Sequence, residues 1–457
     1  VVGGGIGGLA AAIALQRAGV HCTVYERDEA FKHRREGFGL TLTNNPKGPL
    51  AALGLLDACI DADCPSVCHW VFKPDGAILG YYGRYFKDMT ESKQPISVVS
   101  SQDALKIRDR GNLRIPRQDL REMLLRQLQP DTVLWGRRLE SITDDPQEEH
   151  VALHFAGEAE EARAHVVVGA DGVHSQVRRI RDTAMLTRKQ LSYLGVAVII
   201  GISPVTSPLL HHQGFYVVDG THRLFTMPFR SEGAPIGDGS GSETADSDLT
   251  MWQLSFSGLS EEEALNLRRT GPAAIVQEAL RRTETWFDAV LEMIRSSLLT
   301  DVWATPLYDR AAPVLVPRPK ESLSRLTVLG DACHPMSMFK GQGANQALQD
   351  GVLLAKWLGG ESSPEPDENV NSKGRKRKRL SPATSDAALL ATRLRCFERE
   401  MVDRAAPKVA ASRTAAEQYH SSVALEMDYG IEGLESGGRD RATTVTARSA
   451  TSRGELE

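Results

Sequence analysis

Gly3-x-Gly5-x-x-Gly8 stands directly behind the apolar pair Val1-Val2 and opens an alanine-rich run, Leu9 to Ala18. Glycines at this spacing let a backbone turn tightly and approach a pyrophosphate. The helix start behind them offers free N–H groups and the positive end of its dipole. Gly19 suits the C-terminal end of that helix. A second apolar stretch, His21 to Tyr25, then ends at Glu26. A carboxylate at that point can accept both hydroxyls of a ribose. Strand, glycine turn, helix, strand and acid together predict a parallel βαβ unit that binds a dinucleotide. The spacing does not separate FAD from NAD.

The chain has 457 residues, long for one core, and 41% are hydrophobic. Two or three packed units are expected. A net charge of −5 implies no global attraction to nucleic acid or to an anionic membrane. Six cysteines form no CxxC pair and read as reduced thiols of an intracellular protein, with Cys59, Cys64 and Cys68 as packing residues. The longest strand-like apolar run, Leu194 to Ile202, is about half the length a bilayer span needs. The first strand has two residues where about five are usual, and no Met precedes it. A truncated start is therefore expected, and a targeting segment before Val1 is left open.

Residues 69–100 are short, aromatic and turn-rich, which predicts antiparallel strands. A helix is predicted from Arg117 to Leu128, with Leu120, Met123, Leu124 and Leu128 at helical spacing. Strand signals return near 132–135, 151–155 and 166–170, then over 193–228, 250–256 and 301–330. Residues 260–297 read as mostly helical. Gly, Ser, Asp and Glu fill 231–248, a surface loop. Residues 361–384 are polar and carry the run Arg375-Lys376-Arg377-Lys378-Arg379, which fits a disordered insert. The expected location is cytoplasmic, with a nuclear alternative from that run. A long helix follows from about Asp386 to His420, and the tail after 428 reads as disordered.

Two further motifs end strands in an Asp. Val166-Val167-Val168-Gly169-Ala170-Asp171-Gly172 runs into Ser175, a helix cap candidate. Leu326-Thr327-Val328-Leu329-Gly330-Asp331 runs into an irregular segment and then a helix opened by Gly341 and Gly343. Asp331 can accept from a polyol, and the helix start can face an anion. Asp331, Cys333 and His334 suggest a metal site at first sight. No second Cys or His cluster completes the ligand set, so no metal is expected.

The three motifs, with Glu26-Arg27, Gly330-Asp331-Ala332-Cys333-His334-Pro335 and Gly341-Gln342-Gly343-Ala344-Asn345 in the same chain order, carry a resemblance. The chain resembles the single-component (class A) FAD-dependent monooxygenases, the para-hydroxybenzoate hydroxylase-like enzymes. Its stretch 114–142 is most similar to the branch of tetracycline-degrading monooxygenases and salicylate hydroxylases. The resemblance implies an α/β fold: a discontinuous Rossmann-like FAD-binding domain of 1–68, 97–185 and 301–360. An inserted mixed-sheet substrate domain spans 69–96 and 186–300. A disordered basic insert (361–385), a long C-terminal helix (386–424) and a disordered tail (425–457) follow.

Position by position, the resemblance assigns Gly3, Gly5 and Gly8 to the FAD pyrophosphate. Glu26 goes to the adenosine ribose, with Arg27 beside it. Arg117 contacts FAD, and Asp331 holds the ribityl chain. Gly343, Ala344 and Asn345 approach the flavin pyrimidine edge. Arg35 sits near the ring system and helps the nicotinamide cofactor, and Asp171 supports both nucleotides. The reaction implied is hydroxylation of an aromatic or polycyclic small molecule with O2, through a flavin C4a-hydroperoxide. NADPH or NADH is a transient co-substrate, because no second strand–GxGxxG–helix exists to bind it. No nucleic acid or integral membrane partner is implied.

No general base is singled out; His174, His212 and His334 are candidates by type alone. The pocket candidates on the substrate strands are Tyr193, Tyr216, Arg223 and Phe225, half of which alternation turns inward. Two positions depart from the family pattern. Met338 stands where a Pro is usual, and Leu40-Thr41-Leu42 replaces an acidic residue, so tetracycline is not the expected substrate. The alternatives are a reductase or halogenase of the same fold and a non-catalytic lipid- or protein-binding relative. The first lacks its WxWxIP segment; the second is expected to lose the flavin contacts, which Glu26, Arg117 and Asp331 retain.

Overall fold

Val2 makes a strand because it lies between two others. Its N–H donates to the Val168 carbonyl (2.8 Å), and its own carbonyl accepts from Ala170 (2.7 Å). On the other side Gly3 N–H donates to Tyr25 and Tyr25 N–H to Val1. The structure, a computed structural model, describes residues 1–31, 38–66, 68–82, 111–145, 147–184, 191–230, 247–310, 324–359 and 386–426. Arg35, most of the 231–248 loop, the basic insert and the tail after 428 lie outside the described residues.

The elements follow in chain order: α1 (Ile6–Arg17), β1 (Val24–Tyr25), β2 (Gly39–Leu42), α2 (Pro49–Ala52), α3 (Leu56–Asp61), β3 (Cys68–Phe72) and β4 (Ile78–Tyr82). Next are β5 (Leu113–Pro116), α4 (Arg117–Arg126), β6 (Val133–Leu134), β7 (Leu139–Thr143), β8 (Val151–Phe155), β9 (Ala162–Ala164), β10 (Val167–Gly169) and α5 (Gln176–Ala184). The second half holds β11 (Ser192–Pro204), β12 (Gln213–Val218), β13 (His222–Arg230), β14 (Leu249–Ser257), α6 (Glu261–Arg269), α7 (Pro272–Arg282) and α8 (Asp288–Arg295). It closes with β15 (Trp303–Asp309), β16 (Leu326–Val328), α9 (Gly343–Leu358), α10 (Asp386–Tyr419) and α11 (Val423–Glu426).

Two sheets carry the site, beside a smaller antiparallel pair, β2-β5, and a three-stranded sheet, β7-β8-β9. In the first, all pairings are parallel and the order is β6, β1, the Val2 bridge, β10, β16. The expected βαβ start is therefore present. The second sheet has seven strands in the order β15-β11-β14-β13-β12-β3-β4. The β3–β4 pair is antiparallel as expected, while β3 joins the rest of the sheet parallel to β12. The sheet also takes in β15, which pairs antiparallel with β11. The sequence division groups that stretch with the nucleotide-binding unit. Its strand signal is clear, but which sheet a strand joins is decided by distant pairing partners.

Alternation along β11 and β14 gives the second sheet two apolar faces. Ile199, Trp252 and Leu254 pack with Ile275, Val290 and Met293 of α7 and α8. Val198, Ile200 and Met251 face the other way, toward Phe339 and Tyr419. The long helix α10 spans both units. Phe397 and Met401 belong to the nucleotide-side core, whereas Ala415, Ala416 and Tyr419 pack on the second sheet. Buried Glu398 fixes α10 by accepting from Arg181 (3.0 Å) and Thr327 (2.9 Å).

Helices α1 and α9 touch through small residues. A Cβ on Gly7 would meet Leu329 Cδ1 at 2.9 Å and Ala347 Cβ at 3.3 Å. One on Gly351 would meet Ala11 N at 2.6 Å, and one on Gly359 would meet Ala18 Cβ at 2.7 Å. The pairs ascend together along both helices, so α1 and α9 run parallel, with their N-termini at the same end. Overpacking of a tight contact costs about 1–3 kcal/mol. Gly351→Ala is expected to lower the unfolding free energy measured in urea by that amount, with a lower midpoint, and an unchanged midpoint would contradict this close backbone approach.

Candidate functional site

The common N-terminal end of α1 and α9 opens on a cavity of about 1860 Å³. Small-molecule pockets are typically about 300–1,000 Å³, so this one has room for a large cofactor and a second molecule. It begins at the glycine turn and ends against the inner face of the seven-stranded sheet.

At the turn, Gly3 has φ +106, a left-handed backbone that favours glycine. A Cβ on Gly5 would meet nothing within 4 Å, so the turn is open on its cavity side. Gly8 has another task. A Cβ there would lie 1.9 Å from the Gly3 carbonyl, so this glycine lets the helix close on the strand, and it does not line the cavity. Buried Arg121 supports the loop from behind by donating to the Gly4 carbonyl (2.9 Å), with Phe31 and Trp135 against its guanidinium. Glu26 lines the cavity and accepts from Gly4 N–H (2.6 Å) and Asp28 N–H (3.0 Å), and Arg27 lies beside it.

Asp171 lines the cavity too, but its carboxylate caps α5. Its oxygens accept from Gln176 N–H (2.7 Å), Val177 N–H (3.1 Å) and the Ser175 hydroxyl (2.5 Å). Ser175 shares the capping as expected, accepting from Arg178 N–H at 2.9 Å. Arg178 is a residue that sequence reasoning missed. It donates to the Val173 carbonyl (2.6 Å) and the Ala332 carbonyl (2.7 Å), tying the two Asp-bearing turns together. A basic residue three positions after a cap carries no sequence signal for such a bridge.

Asp331 lies in the turn Gly330–Ala332 after β16. Its carboxylate is exposed on the cavity and accepts no hydrogen bond among the described residues. Desolvation by the walls of the deep cavity raises its pKa against the pull of His334 and Arg117. A Cβ on Gly343 would lie 3.9 Å from Asp331 Oδ1, which puts this carboxylate at the start of α9. Gly343 and Ala344 line the cavity beside it. Asn345 points away. It donates to the Thr41 carbonyl (2.9 Å) and accepts from Thr43 N–H (2.9 Å), pinning the strand β2 end against α9. Arg117 lines the cavity with its guanidinium over Phe38, 5.9 Å from the ring centroid.

Cys333 and His334 turn inward from the same segment, so they do not join Asp331 in a ligand set. Cys333 is fully buried, and burial pushes its thiol far up. His334 pairs with Asp350 at 2.7 Å, and Asp350 is held in turn by Arg404 and the Gly330 N–H.

At the sheet end Tyr216, Arg223 and Phe225 line the cavity, as do Met338 and Phe339. Tyr193 does not. Its hydroxyl donates to the Leu259 carbonyl (3.2 Å), and its ring packs with the core on the far side of the sheet. Of the candidate histidines, His174 lines the cavity and His212 and His334 do not. Sequence reasoning missed His69, Gln253, Trp303 and Tyr419, which come to this end from three strands and α10. Period-two alternation separates the two faces of each strand without saying which meets the cavity, and no local signal brings α10 across it.

The open glycine turn, the Asp331 acceptor and the α9 helix start suit a dinucleotide with a polyol chain and an anionic ring edge. Parallel-sheet fold and site together define a dinucleotide-binding oxidoreductase. Residues 1–234 match the family model described as FAD binding domain. The chain is 30% identical over 365 residues to a 3-amino-4-hydroxybenzoate 2-monooxygenase from Streptomyces platensis, covering 79% of this chain and 78% of the relative. It is 27% identical over 362 residues to the aurachin C monooxygenase/isomerase of Stigmatella aurantiaca, covering 78% and 79%. Its fold matches Klebsiella pneumoniae HpxO complexed with FAD and uric acid at a TM-score of 0.67, with 19% identity over 93% of this chain and 90% of that one. A salicylate hydroxylase substrate complex matches at 0.64, with 18% identity over 92% and 88%. The chain belongs to the FAD binding domain family, and within it to the class A FAD-dependent monooxygenases.

The His334–Asp350 pair gives a pH signature. Burial pushes His334 down, but Asp350 outweighs it and the net pKa is raised. Burial pushes Asp350 up, but His334 and Arg404 outweigh it and the net pKa is lowered. A raised histidine contributes stability below its unfolded value, about 6.5, and loses it as pH rises through the folded value. Asp350 stays ionised throughout that window. The stability advantage of the native chain over His334→Gln is expected to be full near about pH 6 and smaller near about pH 9. Urea unfolding at both pH values checks this, and a gap that widens with pH would contradict it.

Proposed function

We propose that the protein hydroxylates an aromatic or polycyclic small molecule, consuming O2 and NAD(P)H. The observation that carries this is the continuity of one cavity from the glycine turn to an aromatic-lined sheet. FAD, when bound, accepts a hydride and activates O2 for transfer of one oxygen atom to carbon. The chain's own residues bind, orient and exclude water.

Gly3 and Gly5 leave the cavity side of the turn open to the pyrophosphate, and the α1 N-terminus adds its positive dipole end. Glu26 takes the adenosine ribose, with Arg27 beside it. Asp331 is the open acceptor for the ribityl hydroxyls, and Arg117 flanks it. The N-terminus of α9, at Gly343 and Ala344, favours negative charge on the ring edge by about 0.3–2 kcal/mol. Gly8 and Asn345 shape this site through packing and through the β2 contact, and Asp171 does so by capping α5.

The mouth of the cavity suits a visiting polyanion such as a nicotinamide dinucleotide. Arg27, Arg179 and Arg268 line it beside His174. Burial and the charges of Arg178 and these three arginines lower the pKa of that histidine. No helix among the described residues is long and apolar enough to cross a membrane.

Two measurements test this reading. The purified protein is expected to carry FAD absorbance near about 450 nm and to transfer labelled oxygen from O2 into a phenolic substrate while oxidising NAD(P)H. Peroxide release without any labelled product across a panel of phenols would refute hydroxylation. Asp331→Ala is expected to weaken FAD binding about 10- to 100-fold, the range for hydrogen bonds to a charged group. Full flavin occupancy in the dialysed variant would remove Asp331 from the FAD contacts.

A further inference from the structure

Arg223, on β13, is 2% exposed and lines the sheet end of the cavity. Four aromatic rings surround its guanidinium: Tyr216 at 4.8 Å, Phe225 at 5.2 Å, Phe339 at 5.1 Å and Tyr419 at 4.9 Å from the ring centroids. Its Nε and Nη1 are buried and find no acceptor among the described residues. No carboxylate among the described residues pairs with it either. The acids that line the cavity are Glu26, Glu140, Asp171 and Asp331, all on the nucleotide side.

A buried cation without a counter-charge is costly, and ring faces offset part of that cost. A second cation adds to it. Lys340 lines the same end, and burial and the Arg223 charge lower its pKa. Burial likewise raises Tyr419 to about 12, so its hydroxyl stays a neutral donor. The amide of Gln253 also borders the chamber. This end of the cavity thus offers flat apolar walls, an unpaired planar cation and neutral donors. That combination matches a flat ring with a negative charge on its edge.

Resting on the reading of this cavity as a substrate site, we propose that the ligand at its sheet end is an aromatic anion. A carboxylate, or a hydroxyl acidic enough to be ionised, meets Arg223 inside the cage of rings, with Lys340 as the second cation. Tyr419 makes the C-terminal helix part of substrate selection. Neutral polycyclic molecules of similar size are disfavoured because they leave the guanidinium buried and unpaired.

Calorimetric titration of the FAD-loaded protein with para-hydroxybenzoate and salicylate, each against its primary amide, tests this. The acids are expected to bind about 10- to 100-fold tighter than the amides. Arg223→Gln is expected to abolish the preference for the acids over the amides, while Arg223→Lys keeps part of it. The acid-to-amide ratio of the native chain needs no variant, so a folding defect does not blunt the test. Equal binding of acid and amide, no binding of either acid, or a preference that survives Arg223→Gln overturns the proposal. A charge preference without hydroxylated product refutes the hydroxylation reading alone. Hydroxylation of neutral phenols without a charge preference refutes this inference alone.

Discussion

The parallel crossing of α1 and α9 is the contact on which the site depends. Two helices that follow strands of one parallel sheet, on one face, have their N-termini at the same edge. Here glycines and alanines bring them into backbone contact, at Gly7 with Ala347 and at Gly351 with Ala11. Both positive dipole ends therefore reach the same cavity, one at the glycine turn and the other at Gly343. Any side chain at Gly7 or Gly351, or one larger than alanine at Ala11 or Ala347, would press the helices apart and separate the two ends. The small residues of α1 are thus a requirement of function as much as of packing.

The second constraint is how the two sheets are held in register around the cavity. Helix α10 does this with one end in each core, through Phe397 and Met401 on one side and Tyr419 on the other. Polar contacts fix its position: buried Glu398 with Arg181 and Thr327, and partly exposed Arg413 with the buried Asp309 of β15. Buried pairs of this kind are weak sources of stability but costly to break. They set where the helix lies, and the apolar contacts supply the adhesion. The sheet face that α10 covers is the one that lines the cavity, so the same helix closes that end of the cavity.

Much of this was legible in the sequence because it is local. The glycine turn, Glu26, the Asp-bearing strand ends and the helix at Gly343 are each a few residues long and follow backbone rules. Tyr216, Arg223 and Phe225 were readable as pocket candidates, since alternation fixes a strand's faces. Tyr193 on β11 was misplaced with them, because periodicity identifies faces but not which one meets the cavity. Gly8 and Asn345 show a different limit. Their types fit the motif, but the contacts that explain them are the Gly3 carbonyl five residues earlier in one case and strand β2 in the other. The Arg178 bridge and the arrival of Tyr419 depend on pairings more than a hundred residues apart, which no local pattern encodes.

Charge is segregated along the cavity, and the physical reasons differ at its two ends. On the nucleotide side the carboxylates of Glu26 and Asp171 are stabilised by backbone N–H groups of the turns they sit in. Those bonds hold the turns as well as the charges, so the acids are part of the fold before any ligand arrives. On the sheet side Arg223 has rings around it in place of acceptors. Ring faces support a guanidinium without fixing its hydrogen bonds, which leaves its donors for a ligand. A bound molecule with its anionic edge toward Arg223 would present its opposite edge toward the nucleotide end. Orientation of the reacting carbon then follows from one charge at the far wall and not from a base beside it.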